Sequence, residues 1–399
     1  MQLVECRQEE ARLRPRHMGT VSPLNIFGTL CFVCSTFLHS GGDQPQLELS
    51  ASFSYTTLQR SVVSAKGAAQ NGIEYNAADE TPHGLLAEAA WFKPAQAGRG
   101  VGTPAFEVRA GLIEANSHTE SLISREGEAA AIQGGGNGRF EPIWILMRYP
   151  LGARGSLEAS LERPYYRGES LVVTGFPLYA NPSERNFFTD TRSGSLGYRQ
   201  RGDAWEVAAA FLYTRTSNHE STRASYYNGT GDIHGGQLEL NRRFGTVDVS
   251  LQGSIQRGAL TITEAFQPAF DVMQYCSDFG RDFVGVRARY PFTGGRLIGW
   301  VDGVHTETPF YDALAVGNQE TELRDSGLRH SFHTMEFIFG LSGELFVGRN
   351  FALRVVASRR EGNESASFDA TPVNPNSASL RIRRSGWSAG LGFRVLAQP

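Results

Sequence analysis

The sequence predicts an all-β protein: a membrane-spanning, antiparallel up-and-down β-barrel of about 14 strands. Three observations predict it. Apolar residues recur at every second position from Gln46 to the end. Short and long connections alternate along the chain. The chain then closes on an amphipathic strand, SGWSAGLGFRVL, whose Trp387, Ala389, Leu391, Phe393 and Val395 share one face.

The strands follow in order. Leu47, Leu49, Ala51, Phe53 and Tyr55 alternate with Glu48, Ser50, Ser52 and Ser54, which predicts a first strand over 46–56. Leu85, Ala87, Ala89 and Trp91 mark 84–93, and Phe106, Val108, Ala110 and Leu112 mark 105–114. Ile143, Ile145, Met147 and Tyr149 give 141–149, although Trp144 and Leu146 blur the row. Leu157, Ala159 and Leu161 give 155–164, and Leu196 with Tyr198 a short strand over 193–200. Trp205 to Tyr213 define 203–216, Leu238 and Leu240 define 235–244, and Val247, Val249, Leu251 and Ile255 define 246–258. Val284, Val286, Ala288 and Tyr290 predict 282–291. The next strand, 296–308, is ambiguous because Trp300 and Asp302 share a face. Met335 to Leu345 predict 332–347, Phe351 to Ala357 predict 350–360, and the closing strand is 381–396.

Short turns join strands 4–5, 6–7, 8–9, 10–11 and 12–13, and the Gly-rich KPAQAGRGVGTP joins 2–3. All remaining connections read as long polar loops. A sandwich has no reason to put every long loop at one end, whereas a membrane meander has short periplasmic turns and long outer loops. In lipid every backbone N–H and C=O must be paired within the protein, so a sheet crosses only as a closed barrel. The alternate row of each strand holds Glu, Arg, Asp, Gln and Ser, which suits a wet lumen and no soluble core.

Composition agrees. The 399 residues carry 45 glycines, 11% aromatics and a formal charge of −3, with no basic surplus to suit nucleic acid. Arg7, Arg12, Arg14 and Arg16 precede an apolar run of about 15 residues, Leu24 to Leu38, the length of a signal h-region. Residues 1–40 are therefore expected to be an export segment and 41–399 the barrel, with a membrane anchor as the other reading of the same run. Cys31 and Cys34 stand in that apolar run without a βα context, so C-x-x-C is not taken as a redox or zinc motif. No metal site and no cofactor are expected.

These features resemble bacterial outer-membrane β-barrel proteins, porin-like ones in particular, over about residues 45–399. The resemblance is architectural and rests on no family-specific motif. It implies an outer-membrane location, contact with outer-membrane lipid, and recognition of the last strand by the barrel-assembly machinery through Trp387 and Phe393. Six residues, Arg394 to Pro399, follow Phe393, where the class usually ends on or near an aromatic. Fatty-acid-transporter-like barrels also have 14 strands but carry an N-terminal plug, for which little chain is available before the first strand.

The inward rows nominate a site. Arg287, Arg289, Arg354, Arg360, Arg384 and Arg394 come from strands near one another around the barrel. Glu239, Asp248, Glu336 and Glu344 add acidic lumen positions, and Glu48, Glu88, Glu107, Glu158 and Glu162 line the N-terminal strands. Opposed basic and acidic walls would orient a small polar solute and tune ion selectivity. The same charges could instead pair and fill the lumen of a structural barrel. Aromatics near strand ends (Trp91, Phe92, Tyr149, Tyr165, Tyr166, Trp205, Tyr213, Phe244, Tyr290, Phe292, Phe346, Phe351) are expected to form interfacial girdles.

The expected function is an outer-membrane channel for diffusion of small polar or charged solutes, with no covalent chemistry. The other readings are a barrel lipid hydrolase, a transporter of hydrophobic compounds, and a structural or adhesive barrel. Ser217, His219 and Ser221, and His330, Ser331 and His333, are the Ser/His groupings a hydrolase could use, but neither fits a nucleophile motif. Asp232, Asp278, Asp282 and Asp312 read as loop residues without Ca²⁺-loop spacing, and Gly134 to Gly138 as a flexible loop.

Overall fold

A computed structural model describes residues 46–66, 74–93, 104–125, 128–174, 183–221, 225–266, 271–315, 324–348, 350–368 and 378–397. The expected export segment, 1–40, lies outside them. The described chain forms β1 (Gln46–Lys66), β2 (Glu74–Lys93), β3 (Ala105–Arg125), β4 (Glu128–Leu151), β5 (Gly155–Thr174), β6 (Ser183–Arg201) and β7 (Trp205–Ser221). It continues through β8 (Ser225–Phe244), β9 (Val247–Phe266), β10 (Asp271–Phe292), β11 (Gly295–Ala315), β12 (Arg324–Phe346), β13 (Phe351–Phe368) and β14 (Ala378–Ala397). Each strand pairs antiparallel with its sequence neighbours, and β1 pairs with β14, so the sheet is a closed barrel.

The turns explain the meander. Phe244 and Val247 are joined by Gly245-Thr246, and Phe292 and Gly295 by Thr293-Gly294. Gly245 and Gly294 take positive φ (60° and 85°), the backbone that two-residue hairpins need and that side chains resist. The ends of β1 and β14 that meet lie on this short-turn side.

Closure occurs where expected. Leu49 faces Val395, Ala51 faces Phe393, Phe53 faces Leu391 and Thr57 faces Trp387. Outside the seam, the Tyr55 and Trp387 rings sit 5.2 Å apart. Inside it, Arg394 donates from Nη1 to Glu48 Oε2 at 3.4 Å. Ser388, Gly390, Gly392 and Arg394 thus face inward and the Trp387 row faces out.

The outer face is an apolar belt. Phe53 (47% exposed), Leu161 (64%), Phe211 (58%), Ile255 (59%), Val284 (58%) and Leu391 (61%) all point away from the barrel. A soluble protein rarely exposes so continuous an apolar surface. Each row has about four to six outward apolar or small residues, such as Val247 to Ile255 on β9. On tilted strands that is roughly 20–25 Å of height, the thickness of an outer-membrane apolar band. No helix among the described residues is long and apolar enough to cross a membrane, and the strands do the crossing. Trp205, Phe244, Tyr290, Phe292 and Phe351 are exposed at the turn-side edge of the belt, as girdle residues are expected to be. Phe92 is not among them, because it faces the lumen, and Tyr165 and Tyr166 lie within β5 rather than at its end.

The strands are longer than the sequence rows suggest, from 17 residues in β7 to 24 in β4. Gly134 to Gly138 lie in β4, not in a loop. Ser217, His219 and Ser221 lie in β7, Asp232 in β8, Asp278 and Asp282 in β10, Asp312 in β11, and His330 and Ser331 in β12. Above the belt both faces meet water, so ladder hydrogen bonding continues without apolar alternation to announce it. The ambiguous strand is resolved as well. Leu297 and Val301 of β11 face lipid, so Trp300 and Asp302 both face the lumen.

The seam yields a test. Replacing Trp387 and Phe393 by Asp should abolish the heat-modifiable, membrane-inserted form on gels of outer-membrane fractions. Normal insertion of that double variant would contradict the lipid-facing assignment.

Candidate functional site

The inner wall is the candidate site. Strand alternation places one side chain in two on it, and those nearest the turn side are mostly charged. The positions nominated from sequence land there: Glu239 (5% exposed), Glu336 (6%), Glu344 (5%), Arg384 (2%) and Arg394 (8%) are buried against the wall. Arg287, Arg289, Arg354 and Arg360 lie on the same face of β10 and β13, opposite in register to Trp300, Ile298, Glu344 and Ile338. Asp248 sits at the turn-side rim, where Arg243 Nε donates to its Oδ1 at 2.8 Å.

Opposed walls of single sign are not what forms. Acidic and basic groups interleave on both sides. On β5 to β8, Arg199 stands among three carboxylates: Nε to Glu158 Oε1 at 2.7 Å, Nη1 to Glu206 Oε1 at 2.5 Å and Nη2 to Glu239 Oε2 at 3.0 Å. Arg148 also pairs with Glu158, and Arg201 Nη2 lies 2.8 Å from Glu206 Oε2. Asn241 Nδ2 donates to Glu239 Oε1 at 2.8 Å. Three guanidinium groups thereby balance three carboxylates. On β2 and β3, Arg109 Nη1 lies 3.9 Å from Glu88 and its Nε lies 2.5 Å from Glu107. Its guanidinium also lies over the Phe92 and Trp144 rings, each at 5.6 Å.

The β11 to β14 wall shows the same mixing. Arg394 Nη2 lies 2.9 Å from Glu344 Oε1, Arg296 pairs with the other Glu344 oxygen, and Arg394 reaches Glu48 across the seam. Farther from the turns, Arg384 Nη1 lies 3.1 Å from Glu336 and 3.9 Å from Glu364. Charges this deeply withdrawn from water are tolerable only when paired, and the desolvation cost of each pair is large. A mutually neutralised wall projects a weaker transverse field than segregated walls would.

Sequence rows missed several members of this layer. Arg109, Arg148, Arg199, Arg201 and Arg296 belong to this layer without having been nominated, although Arg109 and Arg148 alternate with outward apolar neighbours. Arg199 sits next to Tyr198 and two residues from Gly197, a strand too short in apolar signal to fix its faces. An apolar group was missed too. Phe283 (5% exposed), Ile338 (6%) and Ile382 (7%) are buried on the inner face, with Ile298, Trp300, Val304 and Val356 in the same rows. The Trp300 indole lies directly over Gly340, where an added Cβ would fall 2.0 Å from the ring. Asp302, 7% exposed, faces Ile338 and Gly285 in this region.

Among the described residues no group of three or more His, Cys, Asp or Glu is placed to hold a metal ion. Of the hydrolase candidates, Ser217, His219 and His333 stand on outward rows, in register with exposed Phe211, Tyr213 and Met335. His219 Nδ1 lies 2.5 Å from Asn228 Oδ1, and the His333 ring stacks on His305 with centroids 6.2 Å apart.

No protein-family model matches the chain, and no curated protein matches it. Solved structures do. The toluene transporter TodX of Pseudomonas putida is similar at 12% identity and a TM-score of 0.47, over 89% of this chain and 90% of that one. A FadL homologue of Pseudomonas aeruginosa is similar at 10% and 0.44, over 88% and 90%. The translocator domain of the autotransporter NalP from Neisseria meningitidis is similar at 13% and 0.38, over 90% and 89%. The chain is a β-barrel of the outer-membrane type. With its closed sheet and lipid-facing belt, its place is an outer membrane.

Two substitutions probe the inner wall. Arg199→Leu leaves buried Glu239 without a cation and takes one of two cations from Glu158 and Glu206, and should cost about 3–5 kcal/mol, read as a lower urea midpoint for the folded barrel on gels. Gly340→Val forces Trp300 from its seat and should cost about 1–3 kcal/mol. The pair Gly340→Val/Trp300→Ala should recover part of that loss.

Proposed function

We propose that this barrel is an outer-membrane channel for small solutes, and that what passes has apolar surface rather than net charge. The observation that carries the reading is the make-up of the inner wall. Many of its charges are spent on one another, as around Arg199 and Arg394, which weakens the field available to select ions. Between the turn-side charged layer and the Arg384 pairs, β11 to β13 offer Trp300, Ile338 and Val356, in register with Arg287, Asp302 and Arg360. A partly apolar molecule can slide over such a patch, while a hydrated ion gains nothing from it. This departs from the polar-solute expectation, which assumed opposed walls.

A hydrolase is not proposed. His219 meets an amide oxygen, and a nucleophile would need a base within hydrogen-bond reach. No covalent step is required for passage.

The test is reconstitution. Purified barrel in proteoliposomes should speed entry of a small uncharged aromatic such as toluene several-fold over empty vesicles. Potassium conductance in planar bilayers should be low and only weakly ion-selective. Trp300→Arg should reduce aromatic flux without abolishing insertion. A barrel silent in both assays would refute the channel; large, strongly ion-selective currents with no aromatic flux would favour the polar-solute porin instead.

A further inference from the structure

The upper edge of the lipid-facing belt is not uniform around the barrel. On most strands the outward row ends in a neutral group or in a cation that has its own carboxylate. Arg257 Nη1 donates to Asp282 Oδ1 at 2.7 Å on β9 and β10. Arg359 Nη2 donates to Glu361 at 2.5 Å on β13, and Arg139 pairs with Glu141 on β4 at 2.6 Å. On β1 the row ends in Thr57 and on β3 in Glu114, neither of which is a cation.

Across β5, β6 and β7 the balance changes. On three adjacent outward rows Arg163 stands above Leu161, Arg192 above Gly194 and Leu196, and Arg215 above Tyr213 and Phe211. Arg163 clasps Asp190 with Nε at 2.9 Å and Nη2 at 3.1 Å, and Arg192 Nη2 takes the same carboxylate at 3.0 Å. One carboxylate therefore serves two guanidinium groups. Arg215 stands opposite Arg192 in the ladder, and like charges opposite each other on one face are destabilising. The other carboxylate beside Arg215, Asp232, accepts from Tyr213 Oη at 2.5 Å. Arg163 and Arg192 keep 52% and 68% of their side-chain surface exposed. Beneath Arg192, Gly194 leaves a gap in the row between Leu161 and Tyr213.

The geometry points to a binding site for the phosphate group of an outer-leaflet glycolipid on this part of the outer wall. The phosphate would lie between Arg192 and Arg215, which as donors match it in sign and in bidentate geometry. The acyl chains would descend over Gly194, Leu196 and Phe211. A lipid rather than a free anion is the occupant because the cations continue a row that faces hydrocarbon. Any phosphate held there is already at headgroup depth.

Detergent-solubilised barrel titrated with diphosphoryl lipid A, while thermal unfolding is followed, tests this. The phosphorylated lipid should raise the midpoint of the wild type. Arg192→Gln/Arg215→Gln should weaken its apparent affinity by about tenfold or more, and Arg359→Gln, on the far side, should leave it unchanged. Heat-modifiable gel mobility checks that each variant is folded; if the double variant is not, Arg215→Gln alone carries the comparison. Equal affinity in the β6/β7 variant overturns the site. So does equal stabilisation by the dephosphorylated lipid, which means acyl contact alone, or by millimolar inorganic phosphate, which means a free-anion site.

Discussion

The constraint on which everything else rests is the satisfaction of backbone hydrogen bonds in a medium without water. A strand in lipid loses several kcal/mol for each unpaired peptide group, so the last strand must find the first. That demand sets β14 against β1 and puts Trp387 beside Tyr55 on the outside and Arg394 beside Glu48 on the inside. Once the ring is closed, strand alternation leaves no freedom. Every outward position belongs to lipid and every inward one to the lumen. The strands then run on past the belt, because a hairpin ladder in water needs no apolar face to continue.

Inside, the same closure creates an electrostatic problem. A charged side chain that points inward near the turns is flanked by wall on both sides and cannot all be hydrated. The structure answers it locally, with partners on the next strand or the one beyond: Arg199 spans β5 to β8, and Arg394 joins β1, β12 and β14. The result is a wall of paired charges near the turns, with Trp300, Ile338 and Val356 farther along the lumen. On the outer rim, one carboxylate, Asp190, serves both Arg163 and Arg192, and Arg192 stands opposite Arg215.

The belt was legible in the sequence because lipid enforces a strict period of two. Val247, Val249, Leu251 and Ile255 announce their faces without help. The seam was legible for the same reason, since SGWSAGLGFRVL and Leu47 to Tyr55 carry matched rows. Where one face meets water and so does the other, the signal vanishes. Gly134 to Gly138 and His219 therefore read as loop although both belong to strands. Trp300 and Asp302 resisted assignment because an aromatic inside the lumen breaks the rule that apolar means outward.

The sequence alone determined that this chain is a closed barrel of about 14 strands, which way each belt residue points, and that the polar row is charged. Period-two alternation and the chemistry of lipid suffice for that. Which charge meets which was decided only by tertiary structure. Partners such as Glu48 and Arg394 are separated by most of the chain, and their encounter depends on register across a seam that no local pattern encodes. The tertiary structure also decided that the lumen walls are mixed rather than opposed, since that follows from which strands stand side by side. The arginine pair on β6 and β7 likewise exists only once the two strands are in register.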